Sequence, residues 1–275
     1  LMHLPTLGPL KGLARMKNSM NVTMLIAALG LATSAHAGFT SFTIRSTPQI
    51  LPNNVYVPGA TEFVISAGGQ KAALGSNDQN GQTVGSITQL SITRHDDSTR
   101  FSGGSGPAVA PYCNIWITDG TNYAVVANEP SNGSFAAFRT AGANGGFTYS
   151  FSAAAIAAEP AKIFEAPNAN VKNSWVHIAL NMVGQDLTFA DVAGFTIGAP
   201  SAAYIAGGNG IGSGAPREIG TNVAYGVNWV FGDTLSNYIS GDEGYVVSNP
   251  GVIPAPSAAL VLVLGGLVAT RRRRN

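Results

Sequence analysis

The side chains best equipped for chemistry fall in one short stretch, Tyr112, Cys113, Asn114, Trp116 and Asp119, which closes on the dipeptide Asp119-Gly120. Flat aromatic rings beside amides and a carboxylate suit a pyranose: the ring gives an apolar platform, while Asn114, Asp119 and the distant Asn228 exchange hydrogen bonds with hydroxyls. The candidate sugar-binding set is therefore Tyr112, Trp116 and Asp119, with Tyr123, Trp175, Tyr225 and Trp229 as further aromatics. Most aromatics in alternating strands build a core instead; Trp229 is expected there, and Trp116 is expected to face away from Ile115 and Ile117.

Other constellations are sparse. His95-Asp96-Asp97 could bind a cation or a sugar hydroxyl, or simply form a solvated loop. Asp96 and Asp97, and in a second turn-rich segment Asp242 and Glu243, are the hard oxygen donors from which a calcium site could be made; no other cofactor is expected. His177 reads as structural. No His-x-Glu, Cys-x-x-Cys or paired-histidine motif is present, which argues against structural zinc. The glycine-rich Ser102 to Gly106 lacks the strand-turn-helix setting of a nucleophile elbow. Carboxylates are scattered, and a glycosidase needs only two of them roughly 5 to 10 Å apart in space, so a polysaccharide-degrading enzyme stays as an alternative to a non-catalytic protein. Cys113 is the single cysteine, so no intramolecular disulfide forms, and burial is the expected fate of its thiol.

These residues need a sheet to hold them. Phe147 to Phe151, Val176 to Met182, Tyr225 to Phe231 and Ser86 to Thr93 alternate large apolar side chains with small or polar ones, the period-two signature of strands. Phe39 to Ile44 is a weaker first strand. Asn114 to Thr118 and Tyr123 to Val126 flank Asp119-Gly120 and predict a hairpin, because Gly120 takes positive φ without a Cβ clash. Between the strands lie turn clusters: Asn77 to Gly81, Ser102 to Pro107, Gly142 to Gly146 and Gly207 to Gly214. Helix is confined to a short piece over Ala153 to Ala158 and to a capping box at Thr188-Phe189-Ala190-Asp191. The fold class read from this pattern is all-β, a single antiparallel β-sandwich of jelly-roll type.

Both ends of the chain carry addresses. Lys11, Arg15 and Lys17 precede the apolar run Val22 to Ala32 and the small-x-small site Ala35-His36-Ala37, which together read as a secretory signal peptide cut after Ala37; translation then starts at Met16 or Met20. At the other end, Pro254-Ala255-Pro256-Ser257 leads into an uncharged segment and the cluster Arg271-Arg272-Arg273-Arg274. As a helix, Ala255 to Ala269 spans about 22 Å against a hydrocarbon core of about 30 Å, a marginal anchor with its cations on the cytoplasmic side. This order of motif, short membrane segment and arginines resembles the PEP-CTERM sorting signal, with alanine where that signal has glutamate. The resemblance covers about a tenth of the chain. It implies a short transmembrane sorting helix, transient residence in the inner membrane, and processing by a protease-transpeptidase called exosortase.

Three segments follow: residues 1–37 as over-extended start and signal peptide, 38–251 as the sandwich, and 252–275 as the sorting tail. Charged residues make up 11% of the chain and the net charge is +1, which leaves no basic field for nucleic acid. The expectation is an exported, non-catalytic protein of the cell surface or extracellular matrix, whose partners are an exosortase-like enzyme and extracellular polysaccharide; the alternative is a carbohydrate-binding module in adhesion.

Overall fold

The computed structural model describes residues 38–52, 54–55, 57–98, 111–128, 133–166, 172–232 and 240–254. All of them belong to the unit His36–Asn275. Ala35 and Ala37 of the signal site, Ala255 to Ser257 of the tail motif, the arginines at 271–274 and the glycine-rich Ser102 to Gly106 lie outside the described residues.

Among the described residues, two antiparallel sheets pack together as a β-sandwich. In the first sheet β1 (Thr40–Arg45), β4 (Lys71–Ser76), β13 (Val227–Phe231), β6 (Tyr112–Thr118), β7 (Tyr123–Ala127), β10 (Pro160–Phe164) and β11 (Leu187–Thr188) lie side by side, and β12 (Thr196–Ile197) also pairs with β6. The second sheet has the order β2 (Gln49–Pro52), β3 (Thr61–Val64), β14 (Tyr245–Pro254), β5 (Ile87–Arg94), β9 (Phe147–Phe151) and β8 (Arg139–Ala141).

Alternation explains the core between the sheets. Leu90 and Ile92 of β5 with Phe147, Tyr149 and Phe151 of β9 face Ile115 and Ile117 of β6, Val126 of β7 and Val227, Trp229 and Phe231 of β13. Aromatic contacts lock the two layers: Tyr149 stacks near Trp229 with centroids 6.4 Å apart, and Phe63 on Phe231 at 4.2 Å. Each large apolar side chain removed from water here contributes about 1.5–3 kcal/mol.

The first sheet is buried on its outer face as well, because residues 199–224 cross it. Trp116, Val125, Ile205, Ala215 and Ala224 form a second apolar cluster there, and Phe42, Ile44, Ala73 and Val230 a third. Two buried faces remove the reason for alternation, so every residue of Lys71–Ser76 and Val227–Phe231 is buried. Gly75 is required by this double packing: a Cβ on it would lie 2.6 Å from Cβ of Tyr225 and 2.8 Å from Oδ1 of Asn228.

Several expectations are corrected. Val176 to Met182 is not a strand: α1 (Trp175–Ala179) opens there, with Ser174 as N-cap. The Ser174 hydroxyl lies 2.8 Å from Nδ1 of His177, three residues on, a local bond that favours a helix start over an extended chain. Ala153 to Ala158 forms turns and no helix. The body also reaches further than Gly251, since Val252 to Pro254 pair with β5 and Val252 is only 2% exposed. The capping box at Thr188 is present, with backbone and hydroxyl of Thr188 both donating to Asp191 Oδ2 at 2.7 Å, and it opens α2 (Phe189–Val192). Among the described residues no helix is long and apolar enough to cross a membrane.

Candidate functional site

The hairpin predicted from Asp119-Gly120 joins β6 to β7, with Thr118 paired to Tyr123. Gly120 takes φ of 96° at the turn. The tip is held by its own side chains. Asp119 Oδ1 accepts from the backbone N–H groups of Thr121 (2.8 Å) and Asn122 (2.7 Å), Oδ2 accepts from Nδ2 of Asn122 (3.0 Å), and Thr118 Oγ1 accepts from Gly120 N. Partial burial works to raise the Asp119 pKa, but these donors outweigh it and hold the carboxyl below its usual value. It stays ionised at neutral pH and serves the turn, which makes it a poor proton donor.

Beside this tip two half-exposed aromatics meet. Tyr123 starts β7, and Tyr204 comes from α3 (Ala202–Ala206), whose N-cap Ser201 accepts from Tyr204 N at 3.2 Å. Their rings are T-shaped, 4.7 Å apart and inclined at 64°. Trp175 supports them from below, donating its indole N–H to the Tyr123 carbonyl at 3.0 Å and packing edge-on against Phe195. Burial pushes the Tyr204 phenol pKa up, and the charge of Asp119 adds to that rise. The hydroxyl is a neutral donor and acceptor at any physiological pH. Two half-exposed rings thus meet close to the Asp119 charge, and apolar faces beside a polar turn suit a sugar ring.

The remaining expected residues are placed elsewhere. Trp116 does face away from Ile115 and Ile117, but it is 0% exposed beneath the covering segment and donates its indole N–H to the Pro216 carbonyl at 3.0 Å; it is no platform for a ligand in this conformation. Tyr112 is half-buried, its ring 5.6 Å from Nζ of Lys71 and its hydroxyl donating to the Gly232 carbonyl. Asp119 is the one member of the expected sugar set that sits beside half-exposed aromatics, and Tyr204 is the residue that sequence reasoning missed. Its signal would have been Ser201 three residues earlier, a helix cap that places Tyr204 in the first turn of α3.

Asp96 is corrected as a calcium donor. It is 2% exposed, both oxygens accept from the Arg94 guanidinium at 2.7 to 3.1 Å, and Oδ1 also accepts from Val246 N at 2.8 Å. Asp97 lies next to Gly145, where a Cβ would come within 2.3 Å of its Oδ1. No group of three or more His, Cys, Asp or Glu that could hold a metal ion occurs among the described residues. Other carboxylates also hold the fold: Glu62 accepts from Gly244 N and Asn54 Nδ2, and Glu165 from Gly212 N. The Cys113 thiol is 3% exposed and burial pushes its pKa far above the usual thiol range, leaving it unreactive.

His177 is 4% exposed. Burial depresses its pKa, with the Asp186 charge opposing, so folding favours the neutral ring. Its contribution is complete above the ordinary histidine value near 6.5 and is lost as pH falls below that through the lower folded-state value. The full chain is therefore expected to lose thermal stability below about pH 6.5 more steeply than a His177→Gln variant; parallel Tm curves from pH 8 to 5 would contradict this.

No family model, no curated protein and no solved structure matches the chain.

Proposed function

We propose that the chain is an exported, non-catalytic surface or matrix protein, passed by its C-terminal tail to an exosortase-like enzyme and then released from that tail. One observation carries this reading: Pro254-Ala255-Pro256-Ser257, an apolar segment too short for a comfortable anchor, and four arginines follow in that order. The fold supports it from the other side. β14 stays paired with β5 up to Pro254, so the described sandwich reaches the first residue of the motif. Pro254 and Pro256 disfavour helix and keep the junction extended.

The jelly-roll form of the sandwich belongs to the same proposal. Its support is the strand order: β3-β14-β5-β9 in one sheet and β4-β13-β6-β7 in the other, so that the chain passes repeatedly between the layers. A second reading, carbohydrate binding in adhesion, is favoured by the Tyr123 and Tyr204 pair beside Asp119.

Intact-mass measurement on protein from the native host tests the first reading. The expected species starts after Ala37 and lacks the arginines at 271–274; a mature form that retains them rejects processing.

A further inference from the structure

The outer face of the first sheet carries buried amide atoms that the fold does not use. Asn114 on β6 and Asn228 on β13 lie directly opposite each other, both 0% exposed. Nδ2 of Asn228 donates to the backbone carbonyls of Tyr225 at 2.6 Å and Asn114 at 3.3 Å. Its Oδ1 has no donor, and neither Nδ2 nor Oδ1 of Asn114 has a partner. An amide taken out of water without replacement bonds is costly, so an unpartnered pair at the centre of a sheet demands a reason.

Position supplies one. Strand alternation puts Tyr112 and Trp116 on the same face as Asn114, one on each side of it along β6. Residues 199–224, which arrive from another part of the chain, cover this face at Trp116, Lys71 and Thr43, and Tyr225, next in the chain, lies against Asn228. They are fastened by the Trp116 bond to Pro216, by Lys71 Nζ donating to Gly214 O at 3.0 Å, and by Ile219 N donating to Thr43 O at 2.8 Å. Within this cover, five of the eight residues from Gly207 to Gly214 are glycine, with the backbone freedom to hinge.

We propose that Asn114 and Asn228 form a second ligand row, for a saccharide with free vicinal hydroxyls, beneath the segment 199–225, which lifts to admit it. A hydroxyl both donates and accepts, so two neighbouring hydroxyls satisfy the amide groups of Asn114 and the free oxygen of Asn228 together. Amides carry no charge, which directs the row to neutral sugars, and Tyr112 and Trp116 flank it with apolar rings. With the cover down, the amides hold unmade hydrogen bonds; with it lifted, water or ligand makes them. The buried amides therefore oppose closure, and the apolar cluster around Trp116 favours it. This row does not depend on the tail.

The test uses the full-length chain with Asn114→Leu, which keeps the branched shape and heavy-atom count of the side chain and removes its polar atoms. In native-state hydrogen exchange, amides of residues 199–224 are expected to exchange at least tenfold faster than those of β5, and to slow about tenfold in Asn114→Leu. Calorimetric titration with cellohexaose and dextran is expected to show binding of at least one, weakened tenfold or more by Asn114→Leu. A cover that exchanges only with the whole fold, faster exchange in Asn114→Leu, or no binding of either saccharide overturns the proposal. Binding kept at full strength in Asn114→Leu overturns it too and leaves the hairpin tip as the sugar site.

Discussion

Asp96→Ala is expected to lower the stability of the sandwich by about 3–5 kcal/mol, the usual cost of stranding one member of a buried ion pair. For a domain of this size that corresponds to a fall in Tm of roughly 6–20 °C, measurable by calorimetry. The reason is geometric. Leu90, Ile92 and Arg94 point the same way from β5, so Arg94 enters the space between the sheets and is 1% exposed. Its guanidinium carbon lies 4.8 Å from the Tyr245 ring centre and 5.7 Å from that of Phe147, and cation–π attraction offsets part of its desolvation. Asp96 balances the charge at 2.7 Å and also receives Val246 N from β14, which ties two neighbouring strands. Removing its carboxylate takes a counter-charge from the buried Arg94 and orphans a backbone N–H at once.

The paired replacement separates charge from shape. Arg94→Met with Asp96→Asn removes both charges, fills the gap between the rings and keeps an acceptor for Val246. It is expected to recover most of the loss, since an apolar substitute for a buried ion pair is often neutral or stabilising. If Asp96→Ala unfolds at the wild-type temperature, the pair is not buried as described.

That pair also marks where the sequence was legible and where it was not. In the sequence, the alternation ends at Thr93 and His95-Asp96-Asp97 reads as one unit, a cation or sugar site or a solvated loop. In the fold, Arg94 and Asp96 turn to one side and His95, whose Nε2 lies 2.7 Å from the Ser248 hydroxyl, to the other. The strands around Leu90, Tyr149 and Trp229, the Asp119-Gly120 turn and the Thr188 cap were readable because each rests on local chemistry: period two, positive φ, or a side chain bonding three residues ahead. β4 was not, because Lys71–Ser76 is buried on both faces and its small side chains match a covered sheet instead of alternating. α1 was missed because Val176, Ile178 and Leu180 alternate by coincidence, while the cap at Ser174 decided the outcome. The hairpin-tip site was half visible: Tyr123 and Asp119 lie in one hairpin, but Tyr204 arrives from a segment about eighty residues away, and its approach is a tertiary fact.

Trp116→Ala is expected to cost about 3–5 kcal/mol as well, through the cavity left by a large buried side chain, with the Pro216 carbonyl losing its donor in addition. This changes what the substitution can report. From sequence alone, loss of sugar binding in Trp116→Ala would have pointed to a stacking platform. In the fold, Trp116 anchors the crossing of residues 199–224 through Val125, Ile205, Ala215 and Ala224, so the same loss follows from displacing the cover. Tyr204→Ala gives the cleaner reading at the hairpin tip. Its ring is half-exposed and closes no layer of the core, so Tm should move little while a glycan-array signal that depends on the Tyr123 and Tyr204 pair disappears. Array binding that survives Tyr204→Ala with the Tm intact would remove the hairpin tip as a sugar site, and a Tm that falls as far as in Trp116→Ala would show that Tyr204 belongs to the packing after all.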